Sequence, residues 1–148
     1  DGFIAPRDGS TDWLDPYGKV AMGFIGPWMK QIGGIIVGRA TYDQSIGMGG
    51  WMWGRTPALV MTSRPIEQGP QTIHAHAGDP ASGLAKLRQR MSEQDLETDI
   101  WLFGGGVTAG LFLKHNLIDF VELAVVPGQH RRSKCGTNRW CAAARPRV

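Results

Sequence analysis

The chain has 148 residues, enough for one domain with a single core, and an apolar content of 42%, ordinary for a globular protein. Its net charge of +3 conceals an asymmetry: residues 1–127 carry ten basic and thirteen acidic side chains, whereas residues 128–148 carry six basic and none acidic. No apolar stretch approaches the roughly 20 residues of a membrane span. The Asp1-Gly2 opening lacks the basic and apolar regions of a signal peptide. Both cysteines, Cys135 and Cys141, fall in the tail, so a cytoplasmic, reducing location is expected.

Phe3-Ile4-Ala5 reads as the end of a strand. Residues 6–16, rich in Asp, Gly, Pro and Ser, read as a loop. Residues 17–31 have helical spacing, which Gly23, Gly26 and Pro27 are expected to weaken or break. A buried strand is expected over 33–37 and a short helix over 39–46. The segment 47–54 holds four glycines and two tryptophans and reads as a loop. Further strands are expected over 58–62 and 72–75. Asp79-Pro80 starts a helix, with Asp as cap and Pro at the first helical position, and Leu84, Leu87 and Met91 form its inner face. A strand over 100–103, a helix over 107–114 and a strand over 120–126 complete the series. Strands alternating with helices predict an α/β fold: a mostly parallel central sheet between helical layers, a three-layer sandwich. At Pro127 the pattern stops, and residues 128–148 read as a basic, irregular tail.

Two segments share one design. Ile35-Ile36-Val37-Gly38-Arg39-Ala40-Thr41 and Trp101-Leu102-Phe103-Gly104-Gly105-Gly106-Val107-Thr108 each run from a strand through glycine into a helix. Such a turn directs backbone N–H groups and a helix dipole at one point beyond the strand, where an anion is held. Two copies about 65 residues apart could grip a diphosphate from both sides. Arg39 could bind phosphate bidentately, and Thr41 and Thr108 offer hydroxyls. The other reading of the Gly104-Gly105-Gly106 segment is a tight strand-to-helix turn without a ligand, and that of the Gly38 segment a helix-capping turn with a solvated Arg39. Neither is a Rossmann fingerprint or a Walker loop. Thr62-Ser63-Arg64-Pro65, at the end of another strand, suits a ribose 2′-phosphate and so NADP, or is a simple turn. Trp13, Trp51 and Trp53 sit in expected loops, where they would line a planar ligand's pocket or pack locally. His74 and His76 share a strand face, but no carboxylate or cysteine joins them, and no metal site is expected.

Taken together these segments resemble the dihydrofolate reductase-like superfamily, and within it the branch of the riboflavin-biosynthesis reductase domain. Asp1-Gly2-Phe3-Ile4-Ala5, Asp12-Trp13-Leu14, Val37-Gly38-Arg39-Ala40-Thr41-Tyr42, Val60-Met61-Thr62-Ser63-Arg64-Pro65, Trp101-Leu102-Phe103-Gly104-Gly105-Gly106 and Leu117-Ile118-Asp119 carry the likeness, in order, over residues 1–127. The resemblance implies an NADPH-dependent reductase of a small heterocycle, a pterin or a riboflavin-pathway aminopyrimidine. It implies that Gly38, Arg39 and Thr41 face the cofactor diphosphate, with Gly104, Gly105, Gly106, Val107 and Thr108 on its other side. Thr62, Ser63 and Arg64 would surround the 2′-phosphate, Ile4 and Ala5 would lie near the nicotinamide, and Trp13, Trp51 and Trp53 near the substrate. Asp15 is the candidate catalytic acid, with a helix or turn cap beside Pro16 as its other reading. Related domains are often homodimers.

The ends depart from this pattern. The family has a full strand before the Asp-Gly and closing strands after the position of Pro127, which an unrelated tail appears in place of here. The change in charge, cysteine use and periodicity at one point suggests an altered reading frame, which resequencing the coding DNA would test. Two other function classes stand beside the reductase: a cofactor-binding protein without turnover, and a nucleic-acid contact through the basic tail and Trp140, for which a solvated tail is the ordinary reading.

Overall fold

The uncharged run Ile32–Gly38 forms β1, and all seven of its residues are buried. A strand buried on both faces belongs inside a parallel sheet. β1 pairs on one side with β2 (Ala58–Met61) and on the other with β4 (Asp99–Gly104), while β3 (Ile73–His76) lies beyond β2. The order is β3-β2-β1-β4, and every neighbouring pair is parallel. The computed structural model describes residue 10, residues 12–96 and residues 98–122, without the side chains of Met22 and Phe24. It separates into a unit of Pro27–Asp119, which holds the sheet, and a unit of Asp1–Gly26 with Phe120–Val148.

The two-residue period of β1 sorts its side chains between two cores. Ile35 and Val37 join Val60, Ile73 and Tyr42 on one face. Ile36 joins Leu59, Leu87, Met91 and Phe112 on the other. Tyr42 belongs to α2 (Arg39–Gly47), Leu87 and Met91 to α3 (Pro80–Ser92), and Phe112 to α4 (Gly106–Lys114). Helix α2 thus covers one face, and α3 and α4 cover the other, giving the expected three layers.

The α3 start follows its sequence signal: Asp79 accepts a hydrogen bond from the Ser82 backbone N–H at 2.9 Å, and Pro80 occupies the first turn. That hydrogen bond is the main reason the Asp79 carboxyl titrates below its usual value. The link from β2 to β3 breaks the strand–helix alternation. Residues 62–72 contain no helix, because Pro65, Gly69 and Pro70 interrupt any helical run. Thr62 nevertheless continues the ladder beyond β2, donating its N–H to the His76 carbonyl at 2.9 Å.

Two expectations are corrected. Residues 12–17, assigned largely to a loop, form a 3-10 helix, Asp12–Tyr17, with Pro16 inside it. Residues 18–29 form one unbroken helix, α1 (Gly18–Met29). Pro27 lies two residues from the end of α1, so the bond it removes and the bend it imposes affect the last turn alone, and the chain then tightens through i to i+3 bonds from Lys30 N–H to Pro27 and from Gln31 N–H to Trp28. Of the strand expected over 120–126, residues 120–122 have no regular structure, and the remainder lies outside the described residues, as does the 128–148 tail.

Candidate functional site

The chain leaves β1 toward β2 and β3, then returns through α3 to place β4 on the other side of β1. The strand order therefore reverses between β1 and β4, and open α/β sheets bind ligands beyond the strand ends at such a point. Both glycine turns lie there. Val37 pairs in register with Gly104, which sets Gly38 beside the Gly104-Gly105-Gly106 run.

Each strand passes directly into a helix, α2 with Gly38 and α4 with Gly105 as N-cap, and neither cap offers a side-chain acceptor. The first-turn N–H groups of both helices are thus left to other acceptors, unlike those of α3. The turns interlock: the Thr108 hydroxyl packs against Gly38, and the Thr41 hydroxyl lies 3.2 Å from where a Cβ on Gly105 would stand. Gly104 has φ +112°, a conformation that favours glycine, and the Gly104–Gly105 peptide is cis. A cavity of about 370 Å³ opens between the two helix starts, floored by Met61 and rimmed by Val107, which is 89% exposed. Its size is at the small end of the roughly 300–1,000 Å³ of ligand pockets.

Beside it stands a charged cluster. Arg39 donates from Nε to Asp43 Oδ1 at 2.7 Å and from a terminal nitrogen to the Pro65 carbonyl at 2.9 Å. Arg64 reaches the other Asp43 oxygen at 3.3 Å. The 62–65 turn is closed by the Arg64 N–H donating to the Thr62 hydroxyl at 3.1 Å. The Arg39 guanidinium lies 5.5 Å from the centre of the Tyr42 ring. The Tyr42 hydroxyl donates to the Gln68 carbonyl, and burial holds the phenol above its usual pKa against the pull of Arg39.

The structure thus brings Gly38, Arg39, Thr41, Gly105, Gly106, Val107 and Thr108 around one cavity, whereas Gly104, paired with Val37 at the end of β4, is not in its lining. Of the 62–65 turn, Arg64 meets this group through Asp43 and Pro65 through Arg39. Trp51 and Trp53 are not part of that cavity's lining. They pack against the α2-side core, Trp53 edge-on to Trp101 at 5.0 Å and to Phe103 at 5.2 Å. Trp13 and Asp15 lie in the 3-10 helix, in the other unit, and Ile4 and Ala5 are outside the described residues. Among the described residues no group of three His, Cys, Asp or Glu side chains could hold a metal. His76 is buried, with Nε2 3.0 Å from the Ser82 hydroxyl and 3.2 Å from the Asp79 carbonyl, and serves the start of α3. Sequence reasoning missed Asp43. Its spacing of four from Arg39 on a helix was the available signal, whereas its contact with Arg64 depends on the fold.

A parallel sheet between helical layers, with its strand order reversing at two glycine turns, defines an α/β protein of dihydrofolate reductase-like fold. The structure is similar to the crystal structure of a protein from Shewanella sp. PV-4 provisionally named a riboflavin biosynthesis protein, with a TM-score of 0.61 and 28% identity, covering 80% of this chain and 67% of that one. The sequence is also 26% identical over 138 residues to the uncharacterised protein YwjB of Bacillus subtilis (strain 168), covering 86% of this chain and 71% of that protein. No protein-family model matches the chain. Among the described residues no helix is long and apolar enough to cross a membrane.

Proposed function

We propose that this chain binds NADPH across the C-terminal ends of β1, β2 and β4 and uses it to reduce a small heterocycle of the pterin or riboflavin-pathway aminopyrimidine type. The observation that carries the reading is the pair of helix N-termini without side-chain caps, side by side at the point where the strand order reverses. Similarity to a protein named for riboflavin biosynthesis supports the substrate class.

The residues present fit the cofactor. A Cβ at Gly104 or Gly106 would meet nothing within 4 Å, so both face open space and leave main chain accessible to a ligand. The N–H groups at the starts of α2 and α4 would hold the diphosphate, with dipoles that favour its charge. Thr62, Ser63 and Arg64 would take the 2′-phosphate, Arg64 through charge-assisted hydrogen bonds. When bound, NADPH supplies the hydride, and the protein supplies orientation and polarity. Asp15 is the candidate proton donor to the substrate.

Titration of the protein with NADPH and NADH, followed by tryptophan fluorescence, tests the first half of the reading. NADPH absorbance in the presence of pterins and of the riboflavin aminopyrimidine intermediate tests the second. Tighter binding of NADPH and its oxidation by one of these substrates are expected. Binding without oxidation would leave a cofactor-binding protein, and absence of binding would refute the proposal.

A further inference from the structure

Among the described residues, Asp43 is the one carboxylate that contacts both Arg39 and Arg64, through different oxygens. Arg39 has a second anchor, the Pro65 carbonyl. Two of its donors are therefore turned toward Asp43 and the 62–65 turn. The result is a closed link: α2 holds the far end of the 62–65 turn through Arg39 in its first turn, and Arg64 of that turn through Asp43 one turn further on. The two segments follow different strands, β1 and β2, and no helix stiffens the residues after β2.

We infer that Asp43 is a positioning residue that, with Arg39, ties the 62–65 turn to the start of α2 and so sets the selectivity for a nucleotide bearing a 2′-phosphate over one without it. The selectivity rests on the nucleotide reading above; the tether does not. The exposure of the partners separates this role from one in stability. The side chains of Asp43 and Arg64 are 44% and 63% exposed, so their pairing adds little to folding. Its effect is on where Arg64 is held. An opposite role is also physically definite: a carboxylate beside Arg64 would compete with an incoming phosphate, and its removal would tighten anion binding.

The test uses Asp43→Ala, Asp43→Asn and Arg39→Lys in the full chain. Arg39→Lys keeps the charge and loses the forked donor geometry. Hydrogen exchange of the free proteins is the first readout. Faster exchange confined to residues 62–68 is expected in all three variants, and unchanged exchange there would overturn the tether. Nucleotide affinity is the second. The preference for NADPH over NADH should fall by about fivefold in the two Asp43 variants, what one exposed ion pair at the top of its usual range is worth, with their NADH affinity unchanged. Tighter NADPH binding by Asp43→Ala would establish the competing role and overturn the inference. Rescue of NADPH affinity in Arg39→Lys, beside an equal loss of both nucleotides in Arg39→Ala, would instead make Arg39 a direct phosphate ligand. Failure of the unsubstituted protein to bind either nucleotide would refute the nucleotide reading and with it the selectivity, and the exchange data alone would then decide the tether.

Discussion

Arg64 is mostly exposed, and among the described residues its side-chain partner is the Asp43 carboxylate at 3.3 Å. A guanidinium so placed can change partners at little cost, as a residue that meets a phosphate must. Arg64→Ala is expected to weaken NADPH binding by about tenfold, in line with loss of one charge-assisted contact, and to leave NADH binding unchanged in a fluorescence titration. Equal losses would mean that the 2′-phosphate sits elsewhere. A second prediction concerns pH. Burial is the main cause that lowers the His74 pKa, and Arg90 adds to it. The unfolded chain therefore takes up this proton first, beginning near the ordinary histidine value of about 6.5. Stability from this source is complete above that value and is lost as pH falls through it toward the lower folded value. Denaturant midpoints measured between about pH 7 and pH 5 should decline, and His74→Gln should flatten the decline. An unaltered slope would assign it to other groups.

At the scale of elements, the site depends on how closely two strand-to-helix turns approach. A Cβ on Gly38 would collide with the Thr108 hydroxyl on α4. Gly38→Ala should therefore cost about 1–3 kcal/mol, the usual range for overpacking, and adding Thr108→Ala should recover most of it in urea unfolding. If the double variant is as unstable as the single, the cost has another origin. Much of this level was legible in the sequence. The buried strands at 33–37 and 58–62 show themselves as uncharged runs, the α3 start as Asp79-Pro80, and the glycine turns as breaks between strand and helix. Each is a local signal. What was not legible depends on the neighbours. Glycine and proline in α1 argued against a continuous helix, yet Pro27 falls so near its end that little helix follows to be bent. Trp53 packs edge-on against Trp101 and Phe103 of β4 and Trp51 against Tyr42 of α2, contacts that loop sequence does not reveal. The Asp43–Arg64 contact joins elements 21 residues apart, and no periodicity reports it.

At the scale of the molecule, the basic residues of 128–148 lie outside the described residues. The sheet unit, Pro27–Asp119, contains both glycine turns and the 62–65 turn. All of the positively charged recognition proposed here therefore comes from a single stretch of chain. The order in which that stretch is threaded has a consequence for folding. β1 is made early, but its neighbour β4 arrives only after β2, β3 and α3. Pairing across so long a separation is entropically costly and tends to be slow. A ligand held by both glycine turns would find no complete site until that last pairing had formed. It would bind finished chains alone, drawing the population toward them as its concentration rose, and its binding would double as a readout of completed folding.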